Sequence, residues 1–297
     1  MAGNRIRQVV RPAYNPLFDT VVYQRRKPQL RSRLMELPLT ADYPFPVEAK
    51  LLRSVGVEPV MLDVGANTGI YSALLEDVVG TGNLYLFEPL PRLCVRLRRR
   101  FRGARVLNVA LSNTTGTQTM RVPYIDGQRV DYRATLGGHT EPNQTGSDEI
   151  TVRVEPLDGL VAGLGVDAIG FVKIDVEGHE DTVLDGATRT IDRFRPLLLV
   201  EIEARHHAFP ISEIFARLED LGYRGYYVDP ETFTFPGTAD FDVRRHQNED
   251  DLVARRFLRY LNNFFFVPQA REGEFVAKAE RFLAAEKDLV AQLPSQG

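Results

Sequence analysis

Val60-Met61-Leu62-Asp63-Val64-Gly65-Ala66-Asn67-Thr68-Gly69-Ile70-Tyr71-Ser72 is the segment that decides the fold. Val60 to Val64 is an apolar run interrupted only by Asp63, the pattern of a strand buried in a parallel sheet. Gly65 and Gly69 then place a turn, and Ile70, Tyr71, Leu74 and Leu75 follow at helical spacing. Strand, glycine turn and helix together bring backbone N–H groups and a helix N-terminus toward a ligand. A second strand, Leu84 to Phe87, leads directly into Glu88. A carboxylate in that place can accept both donors of a ribose diol. An ordinary strand–helix turn with a solvated Glu88 would explain any one part, but strand, turn, helix, strand and acid in this order favour a nucleoside site.

With 297 residues the chain can bury one sizeable core with additions. A hydrophobic content of 43% and a charged content of 26% suit a soluble globular protein, and a net charge of -3 selects no polyanionic partner. The single cysteine, Cys94, excludes a disulfide framework and a cysteine-based zinc site and fits a reducing interior. The first residues are polar and basic, and no apolar run reaches membrane-spanning length. A cytoplasmic protein without stable membrane insertion is expected.

Outward from the central segment, residues 1–33 are basic, with Arg5, Arg7, Arg11, Arg25, Arg26, Lys27, Arg31 and Arg33 set against Asp19 alone. A solvated, partly ordered arm is expected there rather than an anion-binding tail. Pro38, Pro44 and Pro46 mark an extended linker, and Glu48 to Val55 a short helix. Beyond Glu88, Pro91 opens a helix through Phe101, and Arg105 to Ala110 reads as a third strand. Thr117 to Val122 and Ile150 to Val154 alternate and suit antiparallel pairing, with a long polar segment, Asp126 to Asp148, between them as a candidate lid. Phe171 to Asp175 and Leu197 to Ile202 are further buried strands, separated by a helix over Glu180 to Phe194. A helix over Ile211 to Leu221, a strand over Tyr223 to Val228 and a late, antiparallel strand over Asn263 to Val267 at or near the sheet edge complete the core. An amphipathic helix over 271–291 carries Phe275, Phe282, Leu283 and Leu289; capping the core and joining a homodimer both suit it. The expected division is an arm, linker and helix over 1–56, a core over 57–268 with inserted loops 122–149 and 229–258, and a C-terminal helix within 269–297.

Ligands of a parallel α/β sheet sit at the carboxyl ends of its strands, where Glu88, Asp175 and Glu201 are expected. The run Lys173-Ile174-Asp175-Val176-Glu177-Gly178-His179-Glu180 is dense in polar groups where a buried strand stops, and Glu201 and Glu203 leave the next strand similarly. If those strands are neighbours, about 4.8 Å apart, Asp175 and Glu201 can share a proton, hold a cation or bind donors of a substrate. Glu177 and Glu180 also suit plain decoration of a helix N-terminus. His206 and His207 follow the Glu201 strand and could reach the cleft, although a histidine pair in a loop is more often solvated, and His139 lies in the lid, where it could touch the acceptor.

The chain resembles the FkbM family of S-adenosylmethionine-dependent O-methyltransferases. The resemblance rests on Asp63 to Ser72, Phe87-Glu88-Pro89, Asn108-Val109-Ala110-Leu111-Ser112, Lys173 to Glu180, Gly186-Ala187 and Leu198 to Ile202, and covers roughly residues 58–205. It implies a Rossmann-like methyltransferase fold: a mostly parallel seven-stranded sheet with an antiparallel late strand and helices on both faces. It implies that Asp63, Gly65, Asn67 and Gly69 shape the methionine end of the cofactor pocket, with Tyr71 and Ser72 among its contacts. Glu88 would hold the ribose hydroxyls, Asn108 to Leu111 would border the adenine with Ala110 in backbone contact, and Asp175 would sit near the sulfonium methyl. Glu177, His179 and Glu201 would lie close by. An alcohol acceptor, with a pKa of about 16, needs help in losing its proton. Asp175 and Glu201 are the candidate ligands for Mg²⁺, with His179 as base or outer partner; direct proton removal by Asp175 or His179 is the metal-free version.

The resemblance implies a small-molecule hydroxyl acceptor, a saccharide or glycoside first and a polyketide or macrolide hydroxyl second. A nicotinamide-dependent oxidoreductase would also use the glycine turn and Glu88, but a close-spaced G-x-G-x-x-G and a Tyr/Lys catalytic pair are missing. A nucleic-acid partner would draw on the basic arm, yet the chain has no aromatic–basic platform. No nucleic-acid partner is expected.

Overall fold

The computed structural model describes residues 21–40, 45–253 and 259–293. Its strands are, in chain order, β1 Met61–Val64, β2 Leu84–Phe87, β3 Arg105–Leu107, β4 Ala110–Leu111, β5 Gly116–Ile125, β6 Gln128–Arg129, β7 Gln144–Glu155, β8 Phe171–Ile174, β9 Leu197–Glu201, β10 Tyr223–Tyr227 and β11 Asn263–Pro268. The main helices are α1 Val21–Glu36, α2 Val47–Val55, α3 Ile70–Val79, α4 Pro91–Arg100, α5 Leu157–Leu164, α6 Glu180–Asp185, α7 Thr188–Phe194, α8 Ser212–Asp220 and α9 Glu272–Ala291.

Seven strands form the main sheet in the order β10-β11-β9-β8-β1-β2-β3. β11 runs antiparallel to both β9 and β10, and the other pairs are parallel. This is the Rossmann-like order with an inserted antiparallel strand. The chain builds outward from β1 through β2 to β3, then returns to start the other half at β8. The reversal therefore lies between β1 and β8, and a crevice at such a reversal is where α/β sheets bind ligands.

Strand side chains alternate between the two faces of the sheet, and the sequence supplies apolar residues for both. Met61, Phe171, Leu199 and Phe265 pack into one core, completed by Leu51 and Leu52 of α2, Leu75 of α3 and Leu283 of α9. Leu62, Val172, Leu198 and Phe264 pack into the other, with Val161 of α5, Ile191 of α7 and Leu218 of α8. A second sheet, β4-β7-β5-β6, covers a smaller cluster that includes Leu90, Met120, Val122 and Val152.

Several boundaries differ from expectation. The third strand ends at Leu107, and Ala110–Leu111 belongs to the second sheet, because Asn108 donates to the carbonyls of Glu88 (3.0 Å) and Pro89 (2.8 Å) and turns the chain away. The antiparallel pair is longer than its alternating core: β5 and β7 pair from Gly116↔Val154 to Ile125↔Gln144, so the inserted loop is shorter than 122–149. The helix expected over Glu180 to Phe194 breaks at Gly186-Ala187 into α6 and α7. A Cβ on Gly186 would lie 1.9 Å from the Ser112 carbonyl oxygen, so only glycine permits that approach. β11 is antiparallel and near the edge as expected, one strand in, between β9 and β10. Part of the basic arm, from Val21, is helical, and Arg31 donates to the Ala73 carbonyl (2.8 Å) and to Glu76 (2.9 Å). The remainder of that arm, residues 1–20, lies outside the described residues, as do 41–44 of the linker. No helix of the described residues is long and apolar enough to cross a membrane.

Candidate active site

At the β1/β8 reversal the two strand ends touch. Gly65 has φ 75, and a Cβ there would fall 1.8 Å from the Asp175 carbonyl oxygen. The N–H groups of Gly65 and Ala66 both donate to the Phe87 carbonyl (3.0 Å each), and Asp175 N–H donates to Val64 (3.0 Å). Asn67 adopts φ 48, a left-handed conformation that asparagine tolerates better than most residues. Its N–H donates to Glu88 Oε2 at 2.8 Å, while Leu90 N–H donates to Oε1 at 2.7 Å. Glu88 is buried, and loss of solvent lifts its pKa to about 7 in spite of those two donors. Asp63 is likewise buried; desolvation lifts it to about 6, opposed by the 2.5 Å hydrogen bond from Ser72 and the charge of Lys173. Ala110 lies buried in β4, beside Val154.

A family model described as the Methyltransferase FkbM domain matches residues 63–224, more than half of the chain. The chain belongs to the FkbM methyltransferase family. It is 26% identical to the 2-O-methyltransferase NoeI of Sinorhizobium fredii over 46% of this chain and 61% of that protein. It is also 26% identical to the hexuronic acid methyltransferase AglP of Haloferax volcanii, over 67% of this chain and 75% of that one. A solved structure, Methyltransferase FkbM from Methylobacillus flagellatus KT, aligns over 70% of this chain and 43% of its own with 21% identity and a TM-score of 0.42.

In this FkbM-family chain a polar row replaces the apolar one where the strands end. Asp63 pairs in register with Lys173, and Glu201 with Asn263, on the face that Met61, Phe171, Leu199 and Phe265 fill lower down. Lys173 is fully buried; its Nζ donates to Asn263 Oδ1 (2.8 Å) and lies 3.8 Å from both Asp175 Oδ2 and Glu201 Oε2. The same ammonium sits 5.1 Å from the ring centre of Tyr71, whose hydroxyl reaches Glu48 Oε2 at 3.4 Å. Asp175 is the more open carboxylate, with a side chain 33% exposed against 20% for Glu201. Burial, then the charge of Asp175, raises the Glu201 pKa well above the carboxylate range. Asn262 donates to both Glu201 Oε1 (2.7 Å) and Glu203 Oε1 (3.0 Å) and so fixes the pair.

The inserted segment between β6 and β7 is docked against this cluster. Thr135 Oγ1 donates to the Glu177 carbonyl at 2.5 Å, and Arg133 Nη1 lies 3.1 Å from Glu177 Oε2 and 3.5 Å from Glu203 Oε1. Glu177 sits in the left-handed region at φ 51, and its pKa is raised by burial more than Arg133 lowers it. Glu203 goes the other way: Arg133, Arg205 and His206 outweigh its burial and hold it below the usual value.

His179 is turned elsewhere. Its Nε2 lies 3.1 Å from Ser112 Oγ, and burial lowers its pKa. The imidazole beside the carboxylates is His206, with Nε2 3.9 Å from Glu177 Oε2 and 3.8 Å from Glu203 Oε2. The expected solvation of His206 and His207 is overturned, since each side chain is 2% exposed and His207 lies 3.2 Å from Glu180 Oε2. Sequence reasoning gave no role to Arg133, Glu141, Lys173, Asn262 or Asn263. Lys173 carried a signal, a lysine inside a buried strand; the others act only across the fold.

Proposed function

We propose that this chain is an S-adenosylmethionine-dependent O-methyltransferase acting on a hydroxyl of a sugar or glycoside. The observation that carries the reading is the meeting of the Gly65–Gly69 turn, Glu88 and Asp175 at the β1/β8 reversal. The donor chemistry fits a nucleoside: each Glu88 oxygen takes one backbone N–H, and a carboxylate has about four acceptor positions, which leaves capacity for a ribose diol. When bound, S-adenosylmethionine supplies a methyl group on a sulfonium leaving group. Support for an oxygen acceptor comes from the name of the 2-O-methyltransferase NoeI, and for a sugar acceptor from that of the hexuronic acid methyltransferase AglP. A polyketide or macrolide hydroxyl would ask the same chemistry of the site.

Each part of the site has its own role. The Gly65–Gly69 turn and Glu88 hold the nucleoside, and Asp175, the most open carboxylate, faces the reacting hydroxyl. As the new C–O bond forms, the hydroxyl proton passes to the Asp175/Glu201 pair. Lys173, 3.8 Å from an oxygen of each, offsets part of their mutual repulsion. Burial and the charge of Asp175 raise the Glu201 pKa, so the pair holds a proton more firmly than an exposed carboxylate would. In-line positioning of the acceptor supplies much of the rest of the rate.

A second reading places Mg²⁺ among Asp175, Glu177 and Glu201, each of which offers one oxygen within 4.8 Å of the other two. Oxygen ligands suit that ion, although Lys173 competes with it for the same charges. The test is transfer of an isotopically labelled methyl group to neutral and uronate-containing glycosides, with and without a chelator, alongside calorimetry of S-adenosylhomocysteine and NADH. Uptake of the homocysteine nucleoside with label in a sugar ether is expected. Uptake of NADH alone would replace this reading with the oxidoreductase one, and activity indifferent to chelation would remove the magnesium version.

A further inference from the structure

We propose that His139, Glu141 and His206 form a binding site for a zinc-type divalent ion, separate from the carboxylates that serve the acceptor. His139 Nε2 and His206 Nε2 each lie 3.4 Å from the same oxygen, Glu141 Oε1. The two rings stack with centres 3.9 Å apart and planes 21° from parallel, so one ring has to turn for both Nε2 lone pairs to meet a single ion. The side chains are 9%, 4% and 2% exposed in chain order. Yet Glu141 Oε1 and the two Nε2 atoms have no hydrogen-bond partner among the described residues. Buried polar atoms without partners are costly, and here three converge on one point.

The spacing suits coordination better than hydrogen bonding. Tetrahedral zinc, at about 2.0–2.1 Å from each ligand, sets ligand atoms about 3.4 Å apart. A hydrogen bond at that length is weak, and one oxygen facing two unaligned ring nitrogens makes none. Two imidazoles and one carboxylate are a donor set for zinc and its neighbours in the first transition row, not for magnesium. The carboxylate is also held in a ligating orientation, since Arg205 Nη1 binds the other oxygen, Oε2, at 3.0 Å and leaves Oε1 toward the rings. Glu141, Glu177 and Glu203 face Arg133 and Arg205 around the site, so the two arginines do not stand there uncompensated.

The ligands come from distant parts of the chain. His139 and Glu141 belong to the segment between β6 and β7, and His206 to the turn that follows β9. Gly178, at φ 87, forms the wall behind both rings: a Cβ there would stand 2.9 Å from His206 Cβ and 3.2 Å from His139 Nδ1. An ion would pin the inserted segment to the end of the sheet. Three protein ligands leave a fourth position, and a small cavity lined by Arg121, Arg133, Thr135 and Gln144 adjoins the site. None of this rests on the methyl-transfer reading.

The test is metal binding by the full chain, stripped with a chelator, loaded with Zn²⁺ alone, desalted and assayed for metal. One equivalent retained is expected, and Co²⁺ in its place should give the visible bands of a low-coordinate centre. His139→Ala and His206→Ala should each weaken zinc binding by about a hundredfold or more, with His206→Gln standing in if an alanine variant fails to fold. Glu201→Gln should keep the equivalent. No retention by the unaltered chain would overturn the proposal, as would zinc that survives both histidine substitutions. Zinc lost in Glu201→Gln but kept in His206→Ala would move the ion to the carboxylate cluster and overturn it equally.

Discussion

Glu88 has an environment that works against its own charge. Burial lifts its pKa from 4.5 to about 7, and the two backbone donors recover only part of that shift. In the ligand-free protein the folded state therefore keeps a proton that the unfolded chain has released. Its stabilising contribution is full below pH 4.5 and is lost as pH rises through about 7. Ribose hydroxyls need the ionised acceptor, so nucleoside binding has the opposite slope. Affinity for S-adenosylhomocysteine is expected to fall about tenfold per pH unit below about 7 and to level off above it, as read by calorimetry across that range. A flat profile would separate Glu88 from the ribose. Glu88→Ala should abolish the slope together with most of the affinity. At Gly65 the constraint is steric instead. Gly65→Ala must accept φ 75 and a Cβ 1.8 Å from a carbonyl oxygen, and a loss of about 2–4 kcal/mol in urea unfolding is expected.

At the scale of elements, legibility followed the chain's own periodicity. Asp63, Glu88, Asp175 and Glu201 could be found because each interrupts or terminates an apolar run, and a polar group there has to face the end of the sheet. The helix break at Gly186 was hidden, since the pattern stays helical and only the Ser112 backbone forbids a side chain. Arg133 and Glu141 were hidden more deeply, and His139 was legible only as a lid residue able to touch the acceptor. They sit in a polar segment whose composition announces a loop, and their burial comes from docking against the turn at Glu177. That docking has a testable cost. Arg133 bridges Glu177 and Glu203, and its pKa is raised because the carboxylates outweigh its burial. Removing one member of a buried charge cluster leaves the others uncompensated, so Arg133→Ala is expected to cost about 3 kcal/mol. Hydrogen exchange should quicken first in residues 126–143, with β1 and β8 little changed. Uniform loss of protection would show that the segment is part of the core and not a docked wall.

For the whole molecule, the two ends of the described chain close over one face of the sheet. α2 and α9 both contribute to the core beneath that face, through Leu51, Leu52, Ala279 and Leu283. Between them lies an ion pair out of water: Lys50 Nζ is 2.6 Å from Glu286 Oε1, with side chains 1% and 6% exposed. Lys50 also donates to the Leu37 carbonyl (2.7 Å), and Glu286 Oε2 accepts from Leu39 N–H (3.2 Å), so the linker is held by the same pair. The C-terminal helix thus caps the core, while Leu289 on its outer side is 50% exposed. A buried pair is costly to break and cheap to replace. Glu286→Ala should lower stability by about 3–5 kcal/mol, because the buried Lys50 loses the carboxylate 2.6 Å from its ammonium. Lys50→Met with Glu286→Leu should recover most of the loss, since apolar groups of similar volume need no partner. If the double variant is as unstable as the single one, the linker hydrogen bonds rather than the charges hold α9 in place, and restoring Glu286 alone beside Lys50→Met would then recover the bond to Leu39.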